Sequence, residues 1–276
     1  MEKRVKTVFV LVLFFTLGIM GRVALAHEDG REVRTGTIAG QVMLKGDGPM
    51  AGGMVYFFNE TAGPPPSTTM YWRVPGEAFG TDDNGRFVAE IPEGRYYMGA
   101  IRKKSGEPVG PPGNGDPFFV SQDEKGKPRL HNVLRGTAID VGILEATPFN
   151  SASLAKEGLT AIEGTVRDVD GKPVEGILVF AFTTQTIVGR PLFVSDRTGK
   201  DGKYRLRVAE GGTYYLRLRE NYGGGPLRDG ELKGVYGDKE PASAVVLKSG
   251  EIRKAIDIKA MRFQGRGPKA SYPGRE

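Results

Sequence analysis

The chain has no cysteine, two histidines and one tryptophan in 276 residues. Without a thiol it cannot form a disulfide, carry a thiol-linked lipid, attach c-type haem through CxxCH, hold zinc through Cys or use a Cys nucleophile. The two histidines, His27 and His131, sit in unlike contexts, and no GxSxG is present, so no nucleophile–base set can be assembled. No GxxxxGK[ST] phosphate loop occurs. No basic block is longer than Arg102-Lys103-Lys104, so no nucleic-acid partner is expected. After residue 26 no long apolar run follows. The remaining chain is therefore expected to have no transmembrane segment and to be soluble or peripherally attached.

What is present points to strands and turns. Forty-one Gly and 18 Pro favour tight turns over long helices. The length suffices for two ordinary domains. Residues 1–26 read as a secretory signal peptide: a basic start (Lys3, Arg4, Lys6), an apolar centre VFVLVLFF, then Ala24-Leu25-Ala26 before His27. Removing them takes away Lys3, Arg4, Lys6, Arg22 and Glu2, and the formal charge falls from +6 to +6 − 3 = +3. Export to the periplasm or the extracellular space is expected.

The rest reads as an internal repeat. Ile38-Ala39-Gly40-Gln41-Val42 matches Ile162-Glu163-Gly164-Thr165-Val166, and Pro49 to Val55 matches Pro173 to Val179, both at an offset of 124. Asn84-Gly85-Arg86-Phe87 matches Asp201-Gly202-Lys203-Tyr204 at 117. Glu93-Gly94 with Tyr96-Tyr97 matches Glu210-Gly211 with Tyr214-Tyr215, and Ala138-Ile139-Asp140-Val141 matches Ala255-Ile256-Asp257-Ile258. Each copy alternates apolar and polar residues, as in Tyr204-Arg205-Leu206-Arg207-Val208, which sets Tyr204, Leu206 and Val208 on one sheet face and the arginines on the other. Asp-Gly, Asn-Gly and Gly-Gly pairs separate the runs and suit tight hairpins. The expected fold is all-β: two tandem antiparallel β-sandwich domains, prealbumin-like or Ig-like, at residues 35–146 and 158–263, with a short polar linker between them and a polar tail over 264–276.

The second copy carries Gly164-Thr165-Val166-Arg167-Asp168-Val169-Asp170-Gly171-Lys172-Pro173-Val174-Glu175-Gly176-Ile177-Leu178-Val179, then Thr198-Gly199-Lys200-Asp201-Gly202-Lys203-Tyr204. This resembles the carboxypeptidase regulatory-like domain of the transthyretin (prealbumin) type. The first copy is looser, with Leu44 at the first turn Asp and an insertion over about 59–78. The resemblance implies the sandwich fold and a mostly non-catalytic family that attaches to many different partners. Two enzyme families that share the phrase do not fit. Intradiol dioxygenases bind iron through two Tyr and two His, and the His pair is missing. Transthyretin-like hydroxyisourate hydrolases end in Tyr-Arg-Gly-Ser, whereas this chain ends Ser271-Tyr272-Pro273-Gly274-Arg275-Glu276.

Several residue groups invite a functional reading. The insertion holds Tyr71, Trp72 and Arg73, a set suited either to stacking on a sugar or partner surface or to plugging the open end of a sandwich. Long Gly/Pro loops at 110–117 and 223–226 return through Phe118-Phe119 and Val235-Tyr236, and Tyr222 precedes the second loop. Tyr71, Trp72, Arg73, Phe118, Phe119, Tyr222 and Tyr236 are thus the expected ligand-binding surface. If cleavage follows Ala26, the free amine and imidazole of His27 could join His131 in a copper brace; otherwise no cofactor is expected. Turns centred on Gly85, Gly171 and Gly202 lack the first oxygen of an EF-type calcium loop and read as hairpin turns, with Asp82 and Asp83 left open to a looser calcium site. The expected function is an exported, non-catalytic binding or scaffold protein of the bacterial cell envelope that recognises a protein assembly or a glycan.

Overall fold

The computed structural model describes residues 34–265, apart from 188, 224 and 225; the expected signal peptide, His27 and most of the expected polar tail lie outside them. The first half supplies β1 (Thr35–Leu44), β2 (Met54–Asn59), β3 (Trp72–Arg73), β4 (Glu77–Gly80), β5 (Arg86–Pro92), β6 (Gly94–Ile101), β7 (Pro117–Val120), β8 (Leu130–Val133) and β9 (Ala138–Pro148). The second supplies β10 (Thr160–Arg167), β11 (Leu178–Phe182), β12 (Phe193–Val194), β13 (Lys203–Val208), β14 (Gly212–Arg219), β15 (Leu232–Val235), β16 (Ala244–Leu247), β17 (Ile252–Arg253), β18 (Ile258–Lys259) and β19 (Met261–Arg262). The described chain is all-β, and none of its helices is long and apolar enough to cross a membrane.

The two halves repeat one plan. β1 pairs antiparallel with β5, as β10 does with β13; β2 pairs with β4 and β6, as β11 does with β12 and β14. Within each half the two layers close on their own apolar core. Ile38, Val42, Phe57, Ile91 and Met98 fill the first; Ile162, Val179, Leu206, Leu216 and Leu218 fill the second. The alternation expected of β13 is kept at Tyr204, Leu206 and Val208. The repeated Pro49 and Pro173 bridge Met43 and Arg167, and Gly85 and Gly202 lie where a Cβ would strike the backbone oxygens of Val42 and Val166. Positive φ at both glycines completes the turn. The Asp-rich turns are self-capped: the Asp82 carboxylate accepts from the N–H of Asn84 and Arg86, and that of Asp168 from Asp170 and Lys172.

Two expectations change. The sheets are mixed rather than purely antiparallel, because the closing strand of each half runs parallel to its first strand: β9 along β1, and β17 and β18 along β10. The last repeat match is also three residues out of step. Ile38 faces Ile139 and Val42 faces Leu144, while their counterparts Ile162 and Val166 face Arg253 and Ile258, an offset of 114 rather than 117. The letters Ile-Asp recur in both closing segments, but the hydrogen-bonded ladder sets the equivalence. On that ladder Ala146 and Ala260, both buried, correspond.

The insertion has a definite place. β3 leaves the first half and pairs antiparallel with β12 of the second, Trp72 opposite Val194 and Arg73 opposite Phe193. It thereby covers the edge of the second half's larger sheet, an edge that would otherwise be open to pairing. The linker is docked as well. Phe149 is buried, its N–H bonds the Asp116 carbonyl, and its own carbonyl accepts from Gly115.

Candidate functional site

The insertion and linker create a seam in which the outer faces of β2 and β11 lose their solvent. In β2 the residues Val55 to Phe58 are all buried, and in β11 all of Leu178 to Phe182. Such strands read as uninterrupted apolar runs, since neither face meets water. Trp72, Phe118 and Phe149 form a triangle of edge-to-face rings with centroids 5.5–6.3 Å apart. The Trp72 indole N–H donates to Asp196 of the second half at 2.9 Å. The other Asp196 oxygen meets the buried Arg207 at 3.2 Å. Arg207 lies on the face of β13 opposite Tyr204, Leu206 and Val208, as the alternation expects, and this carboxylate is what permits its burial. Arg190–Glu77 at 3.1 Å and Arg197–Glu107 add ion pairs across the seam.

Beside the aromatic triangle lies a cavity of about 40 Å³, walled by Tyr56, Phe58, Trp72, Arg73, Phe118 and Tyr222 together with Gly110, Pro111 and Pro112 of the first Gly/Pro loop. The Arg73 guanidinium donates from Nη1 to the Pro64 carbonyl and from Nη2 to the Asn59 carbonyl, and sits 5.6 Å from the centre of the Phe58 ring. Burial pulls its pKa down to about 10, against the opposing influence of Tyr71 and Tyr97. Burial likewise pushes the Tyr56 phenol up to about 12, although the Gly110 N–H bonded to its oxygen acts the other way. Tyr222 is pushed well above the usual phenol value by burial and by nearby Tyr56. All three groups keep their ordinary charge state at neutral pH.

Of the seven residues expected to form a contact surface, Trp72, Arg73, Phe118 and Tyr222 are thus brought together, but inside the seam. Trp72 is 5% exposed and Arg73 7%. This burial leaves them little face for a large external partner. Tyr71 packs on Phe193 of the second core at 5.3 Å and donates its hydroxyl to the Pro65 carbonyl. Tyr236 lies apart, half-buried against the second core. Phe119 points the opposite way from Phe118, as successive strand residues must, yet both line a second feature.

That feature is an open groove of about 660 Å³ between β7 and β9. The two strands pair only at Pro117↔Pro148 and Phe118↔Thr147; from there β9 turns away to follow β1. Phe119, Val141, Ile143 and Leu144 supply its apolar lining, and Arg129 and Glu145 its charges. Ile143 is 73% exposed. His131 lies on β8 opposite Tyr96, with Nε2 3.2 Å from the Ser121 hydroxyl, and burial followed by the Arg129 charge lowers its pKa. Its proposed copper partner His27 lies outside the described residues. Among the described residues no three His, Cys, Asp or Glu side chains cluster to hold a metal.

Sequence reasoning missed Tyr56, Phe58, Phe149, Asp196 and the groove. The apolar runs Met54 to Phe58 and Ile177 to Phe182 did carry a signal of two-sided burial, as did the lone aromatic in the polar linker. Nothing local marks Asp196 as the partner of Trp72.

No protein-family model matches the chain, and no curated protein matches it. Among solved structures it is similar to the Bacillus anthracis TIE protein (15% identity over 82% of this chain and 34% of that one, TM-score 0.24). It is also similar to a streptococcal ancillary pilin (12%, 83% and 63%, TM-score 0.24) and to a minor pilin of Streptococcus agalactiae (12%, 87% and 100%, TM-score 0.23). The chain thus spans about a third of the first and under two thirds of the second. Likenesses this distant carry no inference about function.

Proposed function

We propose that this is an exported, non-catalytic binding or scaffold protein of the bacterial cell envelope, built from two carboxypeptidase regulatory-like sandwiches. The export reading is supported by the basic, apolar and Ala-Leu-Ala segments that precede His27. The binding reading is carried by the groove, in which two strand edges part and leave an apolar side chain, Ile143, facing solvent between them. An extended segment of a partner protein suits this shape: it can hydrogen-bond along the free edge of β9 and set alternate side chains against Phe119 and Ile143. Arg129 and Glu145 offer one charge of each sign to fix its direction. The groove favours a protein over a glycan, because its rings and aliphatic chains line strand edges rather than stand out as a flat stacking platform.

The test is capture from a native envelope extract with the wild-type chain and Ile143→Arg. This exposed position tolerates the change within about 0.5 kcal/mol. Loss of a specific captured protein with unchanged stability is the expected result. Equal capture by both chains, or binding of the wild type only to a glycan array, overturns the groove reading.

A further inference from the structure

A buried cation normally has a carboxylate partner, because removing a charge from water costs more than neutral dipoles return. The other buried basic group obeys the rule, Arg207 meeting Asp196 at 3.2 Å, and so do the half-buried Arg219, 2.7 Å from Glu231, and Lys103, 4.0 Å from Asp116. Arg73 does not. It is 7% exposed, its two terminal nitrogens meet only backbone carbonyls, and its Nε–H has no acceptor. Among the described residues no carboxylate stands within ion-pair distance of it, so only carbonyl dipoles and the Phe58 ring face its positive charge.

Arg73 also helps to wall the seam cavity, and a second donor is available there. The Tyr56 hydroxyl accepts from the Gly110 N–H, which leaves its own proton to give, and burial keeps that proton in place at neutral pH. The remaining walls are rings, prolines, glycines, the aliphatic Ile101, Val120 and Val194, and Ser67. The space of about 40 Å³ holds about three water-sized groups. It has room for a carboxylate with a short aliphatic stem and none for a nucleotide or a sugar.

We propose that the seam cavity is a binding site for a small aliphatic monocarboxylate of acetate to propionate size. Its negative charge offsets Arg73, its oxygens accept from Arg73 and Tyr56, and its stem lies against Phe58, Trp72 and Phe118. The cavity shares Phe118 and Val120 with the β7–β9 groove, but its donors Arg73 and Tyr56 line the cavity alone, so the proposal does not rest on the groove. Trp72, the only tryptophan of the chain, forms part of the wall and reports occupancy.

The experiment titrates sodium propionate into the folded chain and follows indole emission, binding heat and thermal midpoint. Propionamide and sodium chloride at matched ionic strength serve as controls. Propionate should shift the emission saturably, bind at one site per chain and raise the midpoint, while propionamide and chloride do neither. Arg73→Gln should weaken propionate at least about tenfold, the loss expected for one charge-assisted hydrogen bond. Val120 also lines the cavity, and Val120→Phe, which narrows it and leaves Arg73 in place, should also abolish the response and guards against misfolding of the Arg73 variant. Equal responses to propionate and propionamide overturn the proposal, as does a folded Arg73→Gln or Val120→Phe chain that still binds like the wild type.

Discussion

The two sandwiches share a plan and differ in how they close. In the first half one unbroken strand, β9, runs along β1 from Ala138 and then crosses to β7 at Thr147 and Pro148. In the second half the same path is cut into β17, β18 and β19, which pair with β10, again with β10, and then with β15. The broken path is held by side chains the first half lacks. The Tyr204 hydroxyl donates to the Ile256 carbonyl at 2.6 Å, where the first half has Phe87. Asp257 accepts from the Thr165 N–H at 2.8 Å. The β1–β9 ladder carries one register shift, between Ala39 and Gln41, within a single strand, whereas the broken path recovers its register through these clasps. The unbroken β9 in turn is free to swing away from β7, which is why the groove lies in the first half. The first half also donates β3, and the second receives it.

Three substitutions can break or sharpen this contrast. The largest effect is expected at the donated strand. Trp72→Ala removes a buried ring, its contacts with Phe118 and Phe149 and the bond to Asp196, and should cost about 3–5 kcal/mol in denaturant unfolding followed by far-UV dichroism. A loss below about 1 kcal/mol would mean the halves stand without the seam. Next comes the approach of each closing segment to its first strand. A Cβ at Gly164 would lie 1.9 Å from the Ile256 carbonyl oxygen, whereas at the equivalent Gly40 it would lie 2.7 Å from the Val141 side chain and 2.9 Å from the Gly142 carbonyl oxygen, a milder clash. Gly164→Ala should therefore cost about 3 kcal/mol and Gly40→Ala about 1 kcal/mol, measured as the shift in unfolding midpoint. Equal costs would show that the clasped segment yields as readily as the continuous one. The smallest effect is expected at the clasp. Tyr204→Phe converts the second half to the first half's residue and leaves the Ile256 carbonyl without its hydroxyl donor, a loss of about 1 kcal/mol. Faster amide exchange confined to 252–260 would locate that loss.

The fold was largely legible. Gly-x-Val, the Pro-containing turn, Asp-Gly and the Tyr-Tyr hairpin recur because each meets a local demand: a turn at positive φ, a bridge, a Tyr96 or Tyr214 hydroxyl returned to the carbonyl four residues back. Local demands leave local traces. The closing strands left a misleading one, since an Ile-Asp pair reads the same at either offset and only the ladder distinguishes them. The candidate sites were legible as residue types and not as places. Trp72, Arg73, Phe118 and Tyr222 were singled out as aromatic and basic loop residues, and they do converge. Their convergence depends on Phe193, Val194 and Asp196, more than a hundred residues from the insertion, and no spacing rule links those to Trp72.

The sequence by itself determined the two copies, their strand periodicity and their turn chemistry, because those depend on neighbours a few residues away. Only the tertiary structure decided that the insertion of one copy completes the sheet of the other, that Arg73 is buried without an acid, and that β7 and β9 part to open a groove. Each of these is set by which surfaces meet across the seam, and burial and charge compensation are properties of that meeting rather than of any stretch of chain.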